Sequence, residues 1–219
     1  MKKDLLQLMR DDWNARAREN ARHYVQTGGD WDDCEFFRTG EMNVANDVIP
    51  DMPRICGERS PLDLRMLELG CGVGRMTRAL ARIFGNVTGV DISDEMIRQA
   101  RHNLSDLTNV TLEVVDGSAL APLTDGQFDF AFSFIVFQHI PSYDVIASYC
   151  KEVFRVLRPG SLFKFQVQGG TTNESEADTW VGVSFSGEDT SRLALATGFR
   201  IELSVGAGTQ YYWLWFRKP

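Results

Sequence analysis

From Arg65 onward, short apolar segments alternate with segments of helical periodicity. The first two apolar segments, "MLEL" (66–69) and "NVTGVD" (86–91), are typical of strands, and a predicted helix follows each of them. The pattern continues with predicted strands at "NVTLEVVD", "FDFAFSF" and "SLFKFQVQ" and predicted helices at "YDVIASYCKEVFRVL" and "GEDTSRLALATG". Strands that alternate with helices in this way form a parallel sheet that helices cover on both faces.

Cap and breaker residues set the predicted boundaries. We expect the helix after the first strand to run to about Phe84, and the next helix to run from the N-cap Ser93 to about Asn103. Arg158-Pro159-Gly160 is expected to end the helix before "SLFKFQVQ". Near the C-terminus, "FRIELSVG" and "QYYWLWFRK" are separated by only a glycine-rich turn, so these strands must be antiparallel. The sequence therefore predicts an α/β fold whose mostly parallel sheet closes with an antiparallel hairpin.

Residues 1–60 differ in character from the rest of the chain. Apolar side chains in "KDLLQLMRDDWNARARENARHYV" recur at helical spacing opposite a charged face, and "TGGD" ends this predicted helix. A second helical stretch is expected from about Glu41 to the breaks at Pro50 and Pro53. We interpret residues 1–60 as a helical lid that helps to bind a ligand, and residues 61–219 as one compact nucleoside-binding domain.

Composition and charge narrow the functional classes. A chain of 219 residues has room for one sizeable core, and no apolar run approaches the ~20 residues of a membrane span. The net charge of −7, without a run of Lys or Arg, disfavours nucleic acid as a partner. The four cysteines form no CxxC pair and the three histidines are scattered, so a metal site has no support. We expect a cytoplasmic protein, because the N-terminus has no signal-peptide pattern.

A glycine cluster in "RMLELGCGVGRMTRAL" (65–80) follows the first strand. Gly70, Gly72 and Gly74 permit positive φ and a close approach of a ligand to the backbone. A dinucleotide fingerprint, GxGxxG, would need its third glycine at position 75, which is arginine. Glu68 would repel a pyrophosphate but suits the ammonium group of a methionine moiety. The loop therefore favours a sulfonium nucleoside over a dinucleotide.

Acidic residues end the second and third strands. The carboxylate of Asp91 can accept hydrogen bonds from both hydroxyls of a ribose. Asp116, ahead of Gly117-Ser118, can accept a hydrogen bond from an adenine amino group, and Ile92 and Met96 are expected to sandwich the adenine ring. The alternatives are that Asp91 caps the next helix and that Asp116 is a turn residue.

The succession of "LELGCGVGRMT", "VTGVDIS", "VVDGSA", "FDFAFSFIVFQHI" and "EVFRVLRPGSLFKFQ" resembles the class I S-adenosylmethionine-dependent methyltransferases, in particular their small-molecule, type-11/12-like group. The resemblance covers about Arg65 to Gln168, and the terminal hairpin is also like that of the family. It implies a Rossmann-like seven-stranded sheet of order 3-2-1-4-5-7-6, with an antiparallel last-numbered strand, and S-adenosylmethionine as the cofactor.

By position, the resemblance also implies which residues hold that cofactor. Glu68, Gly70, Cys71, Gly72 and Gly74 would line its methionine end, and Asp91 and Ile92 would hold the ribose and adenine. Asp116, Gly117 and Ser118 would contact the adenine edge, while Ser133, Phe134 and Ile135 would flank the methyl group.

Methyl transfer needs little chemistry from the protein, because the methyl group on a sulfonium is already activated. Holding the nucleophile close and in line is worth up to ~7–11 kcal/mol. A general base is optional; His139 in "FQHIPS" is the candidate, and the alternative is a packing or cap histidine. We expect a small-molecule methyl acceptor, bound by residues 1–60 and 169–186 with Gln166 among its polar anchors, in a monomer or homodimer.

Three other functions stay open at this point. An NAD(P)-dependent oxidoreductase shares the strand, glycine loop and ribose carboxylate. A non-catalytic S-adenosylmethionine-binding module is disfavoured because the glycine loop has no degraded feature. Aminopropyl transfer normally requires an acidic acceptor cleft, whereas the fourth strand ends in the apolar "SFIVF".

Overall fold

The computed structural model describes residues 2–173 and 175–219. The helices are α1 (Lys2–Val25), α2 (Asp33–Asp47), α3 (Met52–Cys56), α4 (Thr77–Leu80), α5 (Asp94–Asn103), α6 (Tyr143–Val156) and α7 (Gly187–Thr197). The strands are β1 (Arg65–Leu69), β2 (Asn86–Asp91), β3 (Val110–Val114), β4 (Phe128–Ser133), β5 (Leu157–Val167), β6 (Arg200–Val205) and β7 (Tyr212–Arg217). Short 3-10 helices lie at Ile49–Asp51, Pro61–Asp63 and Phe137–His139.

The seven strands form a sheet of order β3-β2-β1-β4-β5-β7-β6, which confirms the predicted fold class. β1, β2 and β3 pair in parallel, as do β4 and β5. β7 runs antiparallel to both β5 and β6, as the short connection between the last two strands requires. Among the described helices, none is long and apolar enough to cross a membrane.

Two compact units make up the chain. Arg10–Val115, here called the N-terminal unit, contains β1 to β3 and the helices between them. The residues up to Met9 together with Asp116–Pro219, here called the C-terminal unit, contain β4 to β7 with α6 and α7. Every residue of β4 is buried, as expected of an apolar strand inside a parallel sheet. The division predicted at residue 60 stays a prediction.

The N-terminal helices differ from their prediction in two respects. α2 begins at Asp33, well before the expected Glu41, because Asp32 caps it by accepting a hydrogen bond from the Glu35 N–H at 2.8 Å. α1 contains a break at Asn20, whose backbone is extended (φ −164°, ψ 85°). The Asn20 side chain accepts a hydrogen bond from the His23 N–H, so it caps the turn that follows the break.

Two boundaries in the sheet region also differ. The helix predicted to reach Phe84 is α-helical only over Thr77–Leu80, because the chain then tightens into turns in which Arg82 and Ile83 donate hydrogen bonds three residues back. β5 begins at Leu157, so Arg158-Pro159-Gly160 lies inside that strand rather than before it. The register with β4 shifts there, and Gly160 has a φ of +78°, which identifies the segment as a bulge.

Candidate active site

The glycine loop, Gly70–Gly74, connects β1 to the turn that leads into α4. Gly70, Gly72 and Gly74 have φ values of +70°, +54° and +88°, which confirms the conformation expected from the sequence. The Gly70 and Cys71 N–H groups both donate to the Val90 carbonyl, at 2.8 and 3.0 Å, and so tie the loop to β2. A Cβ on Gly74 would lie 2.6 Å from the Leu104 side chain, so this position also has no room for one.

Asp91, at the end of β2, holds the glycine loop against the start of α5. One carboxylate oxygen accepts a hydrogen bond from the Gly72 N–H and the other from the Ser93 N–H, both at 2.9 Å. Burial raises the pKa of Asp91, and these backbone hydrogen bonds oppose that rise. Ser93 caps α5 as predicted, by accepting a hydrogen bond from the Met96 N–H. Hydrogen bonds from the glycine loop and from the turn into α5 therefore both hold the Asp91 carboxylate in place.

Glu68, on β1, is the second buried carboxyl of this region and is only 5% exposed. The Thr77 hydroxyl, at the start of α4, donates a 2.6 Å hydrogen bond to it. Burial raises the pKa of Glu68 to about 7, while the Thr77 hydrogen bond and the nearby Arg75 charge act in the opposite direction. The carboxyl is thus balanced between its neutral and charged forms near neutral pH.

Arg75, at the position where a dinucleotide fingerprint would need its third glycine, is a buried cation. It is 4% exposed, and its guanidinium donates to Asn43 at 2.6 Å and to Thr39 at 3.1 Å, both on α2. Its Nε has no hydrogen-bond partner within residues 2–173 and 175–219. Burial lowers the pKa of Arg75 to about 10. No local pattern could have paired Arg75 with α2, because the partners lie more than thirty residues away in the chain.

Helices α1 and α2 pack on the glycine loop and on α5 inside the N-terminal unit. The Asn14 side-chain oxygen accepts hydrogen bonds from the Ser93 hydroxyl at 2.7 Å and from the Glu95 N–H at 3.1 Å. The Val25 side chain lies 3.1 Å from where a Cβ on Gly72 would stand. An apolar cluster joins the two helices to the loop and α5; its buried members are Ala17, Ala21, Phe36, Val73 and Met96.

Three of the predicted cofactor residues have side chains in the interior. Cys71 is 3% exposed and packs against α5, and burial raises the pKa of its thiol. Met96 packs in the apolar cluster under α1 and α2. Ile92 is 9% exposed. The roles of Ile92 and Met96 beside an adenine ring stay predictions.

The remaining predicted residues belong to the C-terminal unit. One carboxylate oxygen of Asp116 accepts hydrogen bonds from the backbone N–H groups of Ser118 (2.7 Å) and Ala119 (2.6 Å), and Gly117 has a φ of +92°. Asp116 thus shapes a tight turn, which is the alternative raised from the sequence. Contact with adenine would have to use the second carboxylate oxygen of Asp116, and this contact stays a prediction.

The end of β4 combines an aromatic stack with an unusual backbone conformation. The Phe134 ring lies nearly parallel to that of Trp213, with centroids 5.3 Å apart, and Ser133 beside it is fully buried. Ile135 has a φ of +54°, the only described non-glycine residue with a positive value. The Ile135 N–H donates to the Gln166 side chain at 3.2 Å. A β-branched residue in this conformation is strained and must be held by its surroundings.

His139 lies in the 3-10 turn that follows β4 and is 7% exposed. Its Nδ1 is 2.5 Å from the Trp180 carbonyl oxygen, and its Nε2 is 3.3 Å from the side-chain nitrogen of Gln138. The Trp180 ring also packs against the imidazole. His139 is therefore firmly held, and its role as a base stays a prediction.

The Rossmann-like fold with strand order β3-β2-β1-β4-β5-β7-β6 is shared with solved structures of methyltransferases. A structure of geranyl diphosphate C-methyltransferase from Streptomyces coelicolor, with bound S-adenosyl-L-homocysteine, has this fold. It superposes with a TM-score of 0.72 at 13% identity and covers 98% of each chain. By sequence, residues 67–165 match the family model described as a methyltransferase domain.

Curated relatives match over the same part of the chain. The 24-methylenesterol C-methyltransferase 2 of rice (Oryza sativa subsp. japonica) is 40% identical over 102 residues, 45% of this chain and 27% of the rice protein. The 2-methyl-6-phytyl-1,4-hydroquinone methyltransferase of Synechocystis is 35% identical over 103 residues, 47% of this chain and 31% of that protein. The chain thus covers less than a third of the length of these two relatives.

Proposed function

We propose that the protein is an S-adenosylmethionine-dependent methyltransferase that transfers a methyl group to an oxygen, nitrogen or carbon nucleophile of a small molecule by in-line displacement. The observation that carries this proposal is the pair of buried carboxyls, Glu68 and Asp91, beside the glycine loop. Asp91 suits the ribose hydroxyls of either nucleoside, so Glu68 is the discriminating carboxyl: in its charged form it would repel a pyrophosphate and attract an ammonium group. The methyltransferase-domain match of residues 67–165 supports the same function.

The N-terminal unit provides groups that suit this cofactor. The three glycines give the loop a tight turn with positive φ values that other residues rarely adopt. Val25 and Leu104 occupy the space that a Cβ would need at Gly72 and Gly74. Glu68 would accept hydrogen bonds from the ammonium group in its charged form. A carboxylate has about four lone-pair sites, so Asp91 can accept from ribose hydroxyls while it keeps its bonds to Gly72 and Ser93. When bound, the cofactor supplies a methyl group that is already activated on a positively charged sulfur.

The C-terminal unit would handle the acceptor. Ser133, Phe134 and Ile135 would flank the methyl group, and the flat Phe134–Trp213 stack offers an apolar wall. His139 would take the proton from a hydroxyl or ammonium acceptor. Asp116, Gly117 and Ser118 would contact the adenine edge through the oxygen of Asp116 that does not shape the turn.

Residues 1–60 are proposed to act as a lid that excludes water from the sulfonium. The contacts of Asn14 with Ser93 and Glu95, and of Val25 with Gly72, support this role.

Two experiments test the proposed function. Titration calorimetry should detect binding of S-adenosylhomocysteine in the micromolar range and no binding of NAD⁺ or NADP⁺; the reverse result would support an oxidoreductase. Transfer of a tritiated methyl group should then be screened over hydroxyl, amine, carboxylate and carbon acceptors. Prenylated quinols and sterols belong in that panel, because two relatives are named for such substrates. Binding without transfer to any acceptor would indicate a non-catalytic module.

A further inference from the structure

A continuous chain of hydrogen bonds links the end of β4 to His139 within the C-terminal unit. It runs from the Ile135 N–H through the side chains of Gln166 and Gln138 to the imidazole, and it ends at the Trp180 carbonyl. Gln166, Gln138 and His139 are 0%, 8% and 7% exposed, so bulk water does not compete for these bonds. The direction of every bond in such a chain is decided by groups that can only donate or only accept.

Backbone groups fix the orientation of the Gln166 amide. The Ile135 N–H can only donate, so the side-chain oxygen of Gln166 must face it, at 3.2 Å. The side-chain nitrogen lies 2.8 Å from both the Val167 and the Gln210 carbonyls, which can only accept. If the Gln166 amide were rotated by about 180°, its oxygen would face the Val167 and Gln210 carbonyls and its nitrogen would face the Ile135 N–H, so none of these hydrogen bonds could form. The orientation of Gln166 is therefore determined by three backbone groups.

The orientation of Gln166 determines that of Gln138 and the tautomer of His139. The two hydrogens of the Gln166 side-chain nitrogen are shared among the Val167, Gln210 and Gln138 oxygens, and a Gln138 nitrogen in the last place would set a donor against a donor. The Gln138 nitrogen therefore faces Nε2 of His139 at 3.3 Å. An amide nitrogen only donates, so Nε2 must carry a lone pair. The Trp180 carbonyl only accepts, so Nδ1 must carry the proton. The groups at Nδ1 and at Nε2 thus require the same neutral tautomer of His139.

We propose that Gln138 and Gln166 are positioning residues that keep His139 neutral, with Nδ1 protonated and the lone pair on Nε2. The catalytic meaning of this arrangement rests on the proposed function. A general base must present a lone pair, and the Trp180 carbonyl orients the ring through the opposite nitrogen. Nε2 of His139 would take the proton of an acceptor hydroxyl that occupies the place of the Gln138 N–H, as the acceptor oxygen bonds the methyl carbon, the methyl–sulfur bond breaks and S-adenosylhomocysteine leaves.

The same chain returns the base to its starting state. A proton on Nε2 faces the Gln138 N–H donor, and the Gln138 amide cannot rotate without opposing Gln166, which the backbone holds. The charged ring is therefore disfavoured once the product has left, and the proton passes to solvent. Because this chain of hydrogen bonds begins at Ile135, it also holds the strained end of β4, which is proposed to flank the methyl group.

The tautomer can be read directly in the wild-type protein. With ¹⁵N-labelled histidine, ring spectra at neutral pH should show one histidine with a protonated Nδ1 and a bare Nε2, and this signal should vanish in His139→Asn. A bare Nδ1 with a protonated Nε2, or a doubly protonated ring, would overturn the proposal. This measurement needs no variant of Gln138 or Gln166, so it does not depend on whether such variants fold.

Charge substitution tests the link between the glutamines and the ring. In Gln138→Glu a carboxylate oxygen faces Nε2, so the ring should become doubly protonated at neutral pH, with a titration midpoint higher by about one to three pH units. The matched control is Gln127→Glu, which adds the same charge in the turn before β4, where the half-exposed side-chain oxygen already accepts hydrogen bonds from Thr124 and takes no part in the hydrogen-bond chain to His139. The control should keep the wild-type tautomer. Equal protonation in both variants would mean that charge alone controls the ring, and the proposal would fail.

Activity separates this proposal from the proposed function. Gln138→Glu should lower kcat for a hydroxyl acceptor at least about tenfold, within the range of general-base contributions, and leave S-adenosylhomocysteine affinity unchanged. An undiminished kcat with a protonated ring would refute the positioning role. If the wild type transferred no methyl group while its ring spectra were as expected, the proposed function would be refuted and the tautomer assignment upheld.

Discussion

Replacing Glu68 with glutamine should change the pH dependence of stability in a defined direction. In the folded protein, burial raises the pKa of Glu68 from 4.5 to about 7. As the pH rises above 4.5, the unfolded chain loses this proton first, while the folded protein keeps it until about pH 7. Below pH 4.5 the ionisation of Glu68 does not change the free energy of unfolding. Between pH 4.5 and about pH 7 the free energy of unfolding falls as the pH rises, and above about pH 7 the loss stays constant.

The size of this loss follows from the pKa difference. A change from 4.5 to about 7 corresponds to roughly 3 kcal/mol, since one pKa unit is worth 1.36 kcal/mol. Glutamine has the same shape, keeps an oxygen for the Thr77 hydroxyl and cannot ionise. Any cost of its unpartnered NH₂ group is independent of pH. The stability of Glu68→Gln relative to wild type should thus rise by about 3 kcal/mol between pH 4.5 and about pH 7.

Chemical denaturation of both proteins without ligand, at a series of pH values, measures this difference. The informative quantity is the slope of the difference against pH, because a constant offset reports only packing. Glu113→Gln is the matched control: it removes a half-exposed carboxyl from β3 of the same unit, so the effect of burial is the slope that Glu68→Gln shows beyond this control. If the Glu68→Gln difference were no steeper than that of the control across this range, burial would not raise the pKa of Glu68 and the reasoning would be refuted.

Two further substitutions test the surroundings of the glycine loop. Asp91→Ala should weaken S-adenosylhomocysteine binding by ~1.5–3 kcal/mol through lost charge-assisted hydrogen bonds, measured by titration calorimetry; an unchanged affinity would contradict the ribose assignment. Gly40→Ala should lower the free energy of unfolding by at least ~1–3 kcal/mol, because its Cβ would lie 2.2 Å from the Arg75 carbonyl oxygen. The control Gly187→Ala places its Cβ in open space and should be neutral or slightly stabilising in the same denaturation assay.

The sheet was predictable because its signals are local. Apolar runs such as Phe128–Ser133 are short, rich in aromatic residues and flanked by turn residues, and the structure buries that strand entirely. The antiparallel hairpin followed from the length of one connection. The helix boundaries were less accurate: Phe36 and Phe37 look like an isolated aromatic cluster in sequence, but Asp32 caps a helix through them and Phe36 becomes fully buried.

The candidate site was predictable only where a residue is tied to the end of a strand. Glu68 and Asp91 were selected because a carboxyl at the end of a strand, beside a glycine loop, can contact a bound ligand, and their roles towards the cofactor stay predictions. Arg75, Thr77 and Asn14 were not found, because their importance comes from partners that the chain brings together only on folding: Asn14 and Ser93 are 79 residues apart in sequence. Gln138 is a similar case, since its role depends on the orientation of the Gln166 amide.

The ionisation of Glu68 should also be visible when the cofactor binds. If the charged carboxylate contacts the ammonium group, the fraction of Glu68 that is still protonated in the free protein must release its proton on binding. With a pKa of about 7, most molecules carry that proton at about pH 6 and few do at about pH 8. Below pH 7 the affinity for S-adenosylhomocysteine should therefore fall towards a limit of about tenfold per pH unit.

Calorimetric titrations in two buffers of different ionisation enthalpy count the released protons. The wild type should release close to one proton at about pH 6 and almost none at about pH 8, whereas Glu68→Gln should bind more weakly and release none at either pH. A wild type that binds without proton release at the lower pH would mean that Glu68 stays neutral in the complex. Glu68 would then act only through its hydrogen bond to Thr77, and the electrostatic argument that favours a sulfonium nucleoside over a dinucleotide would lose its basis.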